Sequence, residues 1–248
     1  RWTAFKRGGL LSAYTRWRLH SRIKQAVKDP ALRDRLTPDY APGCKRILLS
    51  NEWFDTIQRE NVELHDGGAA RIEPDAIITG QGERVEVDAM VLATGFKATE
   101  FLSTLTVKGR KGRDLKDAWG GAPAAYKGVA APGFPNLFIL YGPNTNLGHN
   151  SIIFMVERQA EFVRRQIKRV LDEDLRALEV REDAYAQWNA RLRSDLAATV
   201  WAGDCPSWYK TDAGVVTNNW SGYASAFAWA LKGEDREAFS AQARSAPA

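Results

Sequence analysis

Cysteine and histidine are scarce in this chain. Two cysteines, Cys44 and Cys205, and three histidines, His20, His65 and His149, are spread over 248 residues. Two cysteines exclude a disulfide framework and a multi-cysteine zinc cage. The histidines have no nucleophile or carboxylate partner at a telling spacing, so neither a metal motif nor a catalytic triad is expected. A chain of this length buries roughly 70–75% of the surface its unfolded form exposes and is expected to need no disulfide staple. No apolar run reaches the ~18–20 residues that span a bilayer. No signal peptide is apparent, so the expectation is a reducing, cytoplasmic setting with no membrane contact. Glycine-rich phosphate loops are missing as well. Gly80-Gln81-Gly82 starts like one, but Val85 stands where the third glycine belongs and no helix follows, so it reads as a hairpin turn. The chain begins at Arg1 rather than methionine, which reads as part of a longer reading frame.

What is present describes a globular α/β protein of one large domain or two small ones. Hydrophobic residues make up 44% and charged residues 26%. The charge is uneven: residues 1–50 carry 12 Lys and Arg against 3 Asp, and the remainder is net acidic. Such a basic leader suits nucleic acid, a membrane surface or a phosphorylated cofactor. Residues 10–28 repeat apolar positions on a helical period and stop at Asp29-Pro30. Residues 37–43 read as an extended linker and a boundary. Short strands are expected at 46–49 and 62–64, a helix capped by Asn51 between them, and a hairpin from 76–78 and 85–87. Ala89–Ala93 and Leu137–Tyr141 are unbroken apolar runs, the pattern of strands buried on both faces. Ile152, Val156, Ala160, Val163, Ile167 and Val170 predict an amphipathic helix over 151–171, and a further helix is expected over about 182–198. The C-terminal aromatics suit core packing.

Three constellations suit cofactor chemistry. A buried strand that stops at Thr94-Gly95-Phe96 lets the backbone approach a ligand across its carboxyl end, although a plain strand-terminal turn glycine is the commoner reading. The second apolar run stops at Gly142-Pro143-Asn144, and the long helix begins shortly after it. Asn150, Ser151 and Ile152 therefore lie where free N–H groups and the positive end of the helix dipole would stabilise a ring that becomes anionic, or where Asn150 or Ser151 simply caps the helix. Lys45 and Arg46 sit where linker meets strand, a mobile point charge beside a rigid fork of donors, or merely two solvated charges. Trp208, in a polar loop, could pack against and donate to a ligand, and His149 lies in the turn above the helix.

In order along the chain stand Gly43-Cys44-Lys45-Arg46, Asp88-Ala89-Met90-Val91-Leu92-Ala93-Thr94-Gly95-Phe96, Pro132-Gly133-Phe134-Pro135-Asn136-Leu137-Phe138, Gly142-Pro143-Asn144 and Ser207-Trp208-Tyr209. Over roughly residues 15–230 this series resembles the C-terminal half of class B flavin monooxygenases of the Baeyer–Villiger type. The resemblance implies part of a two-dinucleotide-binding-domain, Rossmann-like flavoprotein. Residues 1–43 would be a helical insertion, 44–96 the returning half of the NADPH domain, and 97–248 the returning half of the FAD domain. It implies that Lys45 faces the 2′-phosphate of NADPH, Arg46 lies beside the flavin and is catalytic, and Trp208 touches NADP. Thr94, Gly95, Phe96, Gly142, Pro143, Asn144, Asn150 and Ile152 would border FAD. The implied reaction uses NADPH and O2 to insert one oxygen atom beside a ketone carbonyl through a flavin C4a-peroxide, giving an ester or lactone, with no metal.

An N- or S-oxidising relative acting on amines or sulfides is the alternative, and a non-enzymatic binding fragment a further one. Nucleic acid is not an expected partner, since no recognition motif accompanies the basic leader. The family's glycine loops do not occur here, and Ser221 follows Asn219-Trp220 where related sequences often carry proline. Without those loops both cofactors lack their pyrophosphate sites. The 248-residue piece alone is therefore expected to be inactive.

Overall fold

The computed structural model describes residues 2–148 and 150–244. The chain forms two compact units, a smaller one of residues 17–39 and 48–96 and a larger one holding residues up to 16, 40–47 and those from 97 onward. His149 lies outside the described residues.

Helix α1 (Leu10–Ala26) has its second half in the smaller unit, and Ile23 and Val27 are buried there. Asp29 does more than end it. Its carboxylate accepts from the Ala31 and Leu32 N–H groups at 3.2 and 3.1 Å, and Pro30 takes the first position of α2 (Pro30–Leu36). Just past α3 (Trp53–Thr56), Gln58 closes the end of α1: its Nε2 donates to the Ala26 carbonyl at 3.0 Å and its Oε1 accepts from the Lys28 N–H at 2.8 Å. Strands β1 (Ala69–Ile72), β2 (Ala76–Thr79) and β3 (Arg84–Glu86) form an antiparallel sheet in that order. The β2–β3 turn is the hairpin the glycines predict. Gly82 sits at φ +84°, and Thr79 bonds Glu83 through both its N–H and its hydroxyl.

The larger unit contains α4 (Leu115–Trp119), α5 (Ile152–Asp172), β4 (Leu175–Val180), α6 (Glu182–Ala197), α7 (Ala224–Ala230) and β5 (Phe239–Ala243). β5 returns antiparallel beside β4, with Val180 opposite Phe239. Phe162, Leu178, Leu192, Trp201, Tyr209 and Phe227 meet in the main core, while Leu115, Trp119, Phe134 and Ile139 make a second cluster. Helix α5 forms where the period predicts, but its buried line is Met155, Gln159, Phe162 and Gln166. Ile167 is half exposed. The line turns toward the two glutamines, whose side chains both bond backbone groups of other segments. Gln159 accepts from the Tyr141 N–H at 2.9 Å and donates to the Gly128 carbonyl at 3.0 Å, and Gln166 donates to the Glu234 carbonyl at 2.8 Å.

The expected strands at 46–49, 62–64, 89–93 and 137–141 are not formed: among the described residues these segments join no sheet. Nor are the segments at 46–49 and 89–93 covered. Leu49 is 95% and Val91 90% exposed, whereas Ile139 is buried in the second cluster. A strand exists only through a neighbour's hydrogen bonds, and an apolar run records the wish for two covering layers without supplying them. Both sheets are antiparallel, so the α/β character holds while no parallel sheet is built by the described residues. Among those residues no helix is long and apolar enough to cross a membrane, and no cluster of potential metal ligands occurs.

The chain, expected to need no disulfide staple, nevertheless carries one. Cys44 and Cys205, 161 residues apart, are joined by a disulfide with Cα atoms 6.3 Å apart. Core size argues only that a chain of this length can fold without a staple. It does not stop the fold from bringing two sulfurs together.

Candidate functional site

The residues around Arg46 are set by a rigid support. Gly43 lies at φ +85°, and a Cβ there would overlap the Phe5 ring, so only glycine fits. Phe5 stacks on Trp201 with ring centroids 5.4 Å apart, and the Trp201 indole N–H donates to the Gly43 carbonyl at 3.0 Å. Cys44, fully buried, bonds to Cys205 in the loop that leads to Trp208. Beyond this anchor Lys45 and Arg46 are exposed. The Lys45 ammonium sits 4.7 Å from the centre of the Tyr40 ring, a cation–π contact.

Arg46 is brought near two tyrosines. Burial pushes the Tyr141 and Tyr209 hydroxyls above their ordinary values, and the positive charge of Arg46 pulls both partly back. Tyr209 in turn packs on the Trp208 ring at 4.3 Å, and the Asn218 side chain holds the Trp208 carbonyl at 3.0 Å. Arg46, Tyr141, Tyr209 and Trp208 thus share one neighbourhood, two of them predicted and two not. Neither tyrosine is given a role by the sequence; Tyr141 ends an apolar run and Tyr209 closes the Ser207-Trp208-Tyr209 series.

The turn after Tyr141 is tightly bound. The Tyr141 hydroxyl donates to Asn146 Oδ1 at 3.0 Å, and Asn146 Nδ2 donates to Asn219 Oδ1 at 2.6 Å. The Asn144 side chain donates to the Val216 and Asn219 carbonyls at 2.9 and 3.2 Å, and its N–H to the Thr217 carbonyl at 2.7 Å. Gly142 meets the Gly128 carbonyl so closely that no side chain fits, and Pro143 is buried. These side chains are spent on the protein itself, so Gly142, Pro143 and Asn144 face any ligand through backbone alone.

At the start of α5, Ser151 is the cap and accepts from the Phe154 N–H at 3.4 Å, while Asn150 accepts from the Ser151 N–H at 2.8 Å. The N–H groups of Ile152 and Ile153 precede the first intrahelical bond and stay available. Thr94, Gly95 and Phe96 belong to the smaller unit. All three are exposed, and Gly95 takes φ +81°. In the larger unit a cleft of about 780 Å³ is lined by Tyr126, Lys127, Trp188, Arg191, Trp220 and Asp235, among others, and by none of the predicted residues.

No family model matches the chain. It is 42% identical over 188 residues to a Baeyer–Villiger monooxygenase of Pseudomonas aeruginosa, covering 75% of this chain and 36% of that protein. A solved structure of an oxidized steroid monooxygenase bound to NADP superposes with a TM-score of 0.83 at 29% identity, over 94% of this chain and 46% of the other. OTEMO in complex with FAD and NADP gives the same TM-score at 26% identity, over 93% of this chain and 44% of the other. The chain thus spans between about a third and a half of the length of the relatives it matches. In sequence and in fold alike, it matches the C-terminal part of flavin-dependent monooxygenases of the Baeyer–Villiger type.

Proposed function

We propose that this chain is the C-terminal portion of an FAD- and NADPH-dependent monooxygenase that inserts one atom of O2 beside a ketone carbonyl. Residues 1–43 act as a helical insertion, 44–96 as the returning half of the NADPH-binding domain and 97–248 as the returning half of the FAD-binding domain, in a cytoplasmic protein. The observation that carries the reading is Arg46, held on a buried anchor with its charge acting on Tyr141 and Tyr209 beside Trp208.

The donor set fits part of the cofactor. A guanidinium and free N–H groups at the start of a 21-residue helix suit the edge of a ring that gains negative charge. No glycine loop serves the pyrophosphates. The flavin, when bound, supplies the electron transfer and oxygen chemistry. This chain's own part is electrostatic and spatial. Arg46 brings positive charge, the N–H groups of Ile152 and Ile153 receive negative charge, and Gly142, Pro143 and Asn144 offer a preformed backbone wall. Thr94, Gly95 and Phe96 offer backbone to the cofactor, Asn150 orients the helix start, and Trp208 covers NADP. Lys45 would leave Tyr40 to meet the 2′-phosphate.

The absorption spectrum of the 248-residue chain after incubation with FAD and removal of free cofactor tests the partial fit. A colourless protein is expected, and a flavin band near stoichiometry would overturn the view that the pyrophosphate sites lie elsewhere. In a longer chain that restores an N-terminal half, Arg46→Ala is expected to cut ketone-dependent NADPH oxidation on the order of a hundredfold while flavin stays bound. Ester or lactone product separates this reading from amine or sulfide oxidation.

A further inference from the structure

Neither the family resemblance nor the proposed reaction uses the disulfide of the larger unit. We propose that Cys44–Cys205 is a reversible thiol–disulfide exchange site for a dithiol reductant, attacked at Cys205. Its state sets how firmly the Trp208 loop is held to the segment bearing Lys45 and Arg46. The proposal does not rest on the monooxygenase reading.

The two sulfurs differ in access. Cys44 is fully buried on the anchor made by Gly43, Phe5 and Trp201, while Cys205 is only half-buried, between the exposed Asp204 and Pro206. Exchange needs a thiolate to reach one sulfur and the other to leave, so the reachable sulfur is the target. A reductant thiolate bonds to Cys205 Sγ, the S–S bond breaks, and Cys44 leaves as a thiolate that takes up a proton. The reductant's second thiol then displaces Cys205 and closes the reductant's own disulfide. Two electrons pass from the dithiol to the protein, which ends with two thiols.

The mechanical consequence follows from how little else holds the loop. Among the described residues the backbone from Asp204 to Ser207 donates no main-chain hydrogen bond, and the Ser207 carbonyl accepts only from Lys210 N–H at 3.3 Å, three residues on in the same segment. Its flanks are fixed: Gly203 N–H bonds the Val200 carbonyl at 3.2 Å, and Tyr209 is buried. The covalent bond is therefore the main tether between two segments that carry three predicted ligand contacts. Opening it frees the loop without removing a core residue, since Phe5, Trp201 and Tyr209 keep their packing.

The test uses the 248-residue chain with dithiothreitol and glutathione as probes. Air-purified protein is expected to carry no free thiol, and dithiothreitol at pH 8 should release two without denaturant. With glutathione, the first mixed disulfide should map to Cys205. Free Cys205 in the Cys44→Ser chain should react with Ellman's reagent at least about a hundredfold faster than free Cys44 in the Cys205→Ser chain. Reduction should raise amide exchange about tenfold or more in 203–208 and 44–47 and leave α5 unchanged.

Four results would overturn the proposal. Two are an air-purified chain with two free thiols and a bond that dithiothreitol opens only in urea. The others are unchanged exchange in both segments and a rise that extends through α5, which would make the bond a plain staple.

Discussion

Replacing Asp235 by alanine should destabilise the chain by roughly 3–5 kcal/mol at neutral pH, because it strands a buried ammonium. Lys127 and Asp235 form an ion pair whose side chains are 8% and 20% exposed. The Lys127 ammonium also donates to the Ala230 carbonyl and lies over the Tyr126, Phe162 and Trp188 rings at 5.3 to 5.8 Å. The Tyr126 hydroxyl donates to the same carboxylate at 3.1 Å, and burial, then Asp235, push its titration upward. Asp235 thus carries two buried donors. Burial lowers the titration of Lys127 below the ordinary lysine value, while Asp235 pulls it back up.

The sign of the pH effect follows. Between the lowered folded value and the ordinary one, the unfolded chain binds more protons, so stability rises with pH through that window. Without Asp235 the folded value falls further and the window opens at lower pH. The deficit of Asp235→Ala should therefore be largest near and below neutrality and shrink as pH rises toward the ordinary lysine range. Urea midpoints at several pH values measure it. A double variant, Lys127→Leu with Asp235→Leu, should recover most of the loss. Single-variant costs that simply added would show the pair to be uncoupled.

Trp201→Ala should destabilise by about 3–5 kcal/mol, the range for removing a buried tryptophan. Its ring is fully buried between Phe5 and Tyr209, and its N–H satisfies the Gly43 carbonyl. The loss has two parts, a cavity in the main core and a buried carbonyl left without its donor. Trp201→Phe separates them. It refills most of the cavity and leaves the carbonyl bare, so it should cost about 1–3 kcal/mol. Chemical denaturation resolves both. If Trp201→Phe were neutral, the indole N–H would not be what fixes Gly43, and the anchor beneath Arg46 would rest on ring packing alone.

How much of this was readable in the sequence depends on the reach of each signal. The Gly80–Gly82 hairpin and the 151–171 helix come from local pattern and appear where expected. Even there the buried line of α5 escaped, because Gln159 and Gln166 are buried for the backbone groups they satisfy and polarity hides them from any apolar count. The run at 89–93 was legible as chemistry and misleading as structure, since strand pairing depends on neighbours that a single segment cannot announce. The Cys44–Cys205 bond closes a 161-residue separation that carries no periodic trace. At the site, Arg46 and Trp208 were marked by charge and by a polar loop. Tyr141 and Tyr209 lay in marked segments but had no assigned role, because that role comes only from where the fold sets them.

The bare segments of the smaller unit bear on how the chain behaves in concentrated solution. Leu48 and Leu49, and then Val91 and Leu92, present apolar side chains on backbone that joins no sheet. Such stretches are templates for intermolecular pairing and natural grips for chaperones. The net charge of +5 holds molecules apart only while it is unscreened. Turbidity should therefore rise with ionic strength, as salt weakens the long-range repulsion and leaves the short-range attraction between these edges intact.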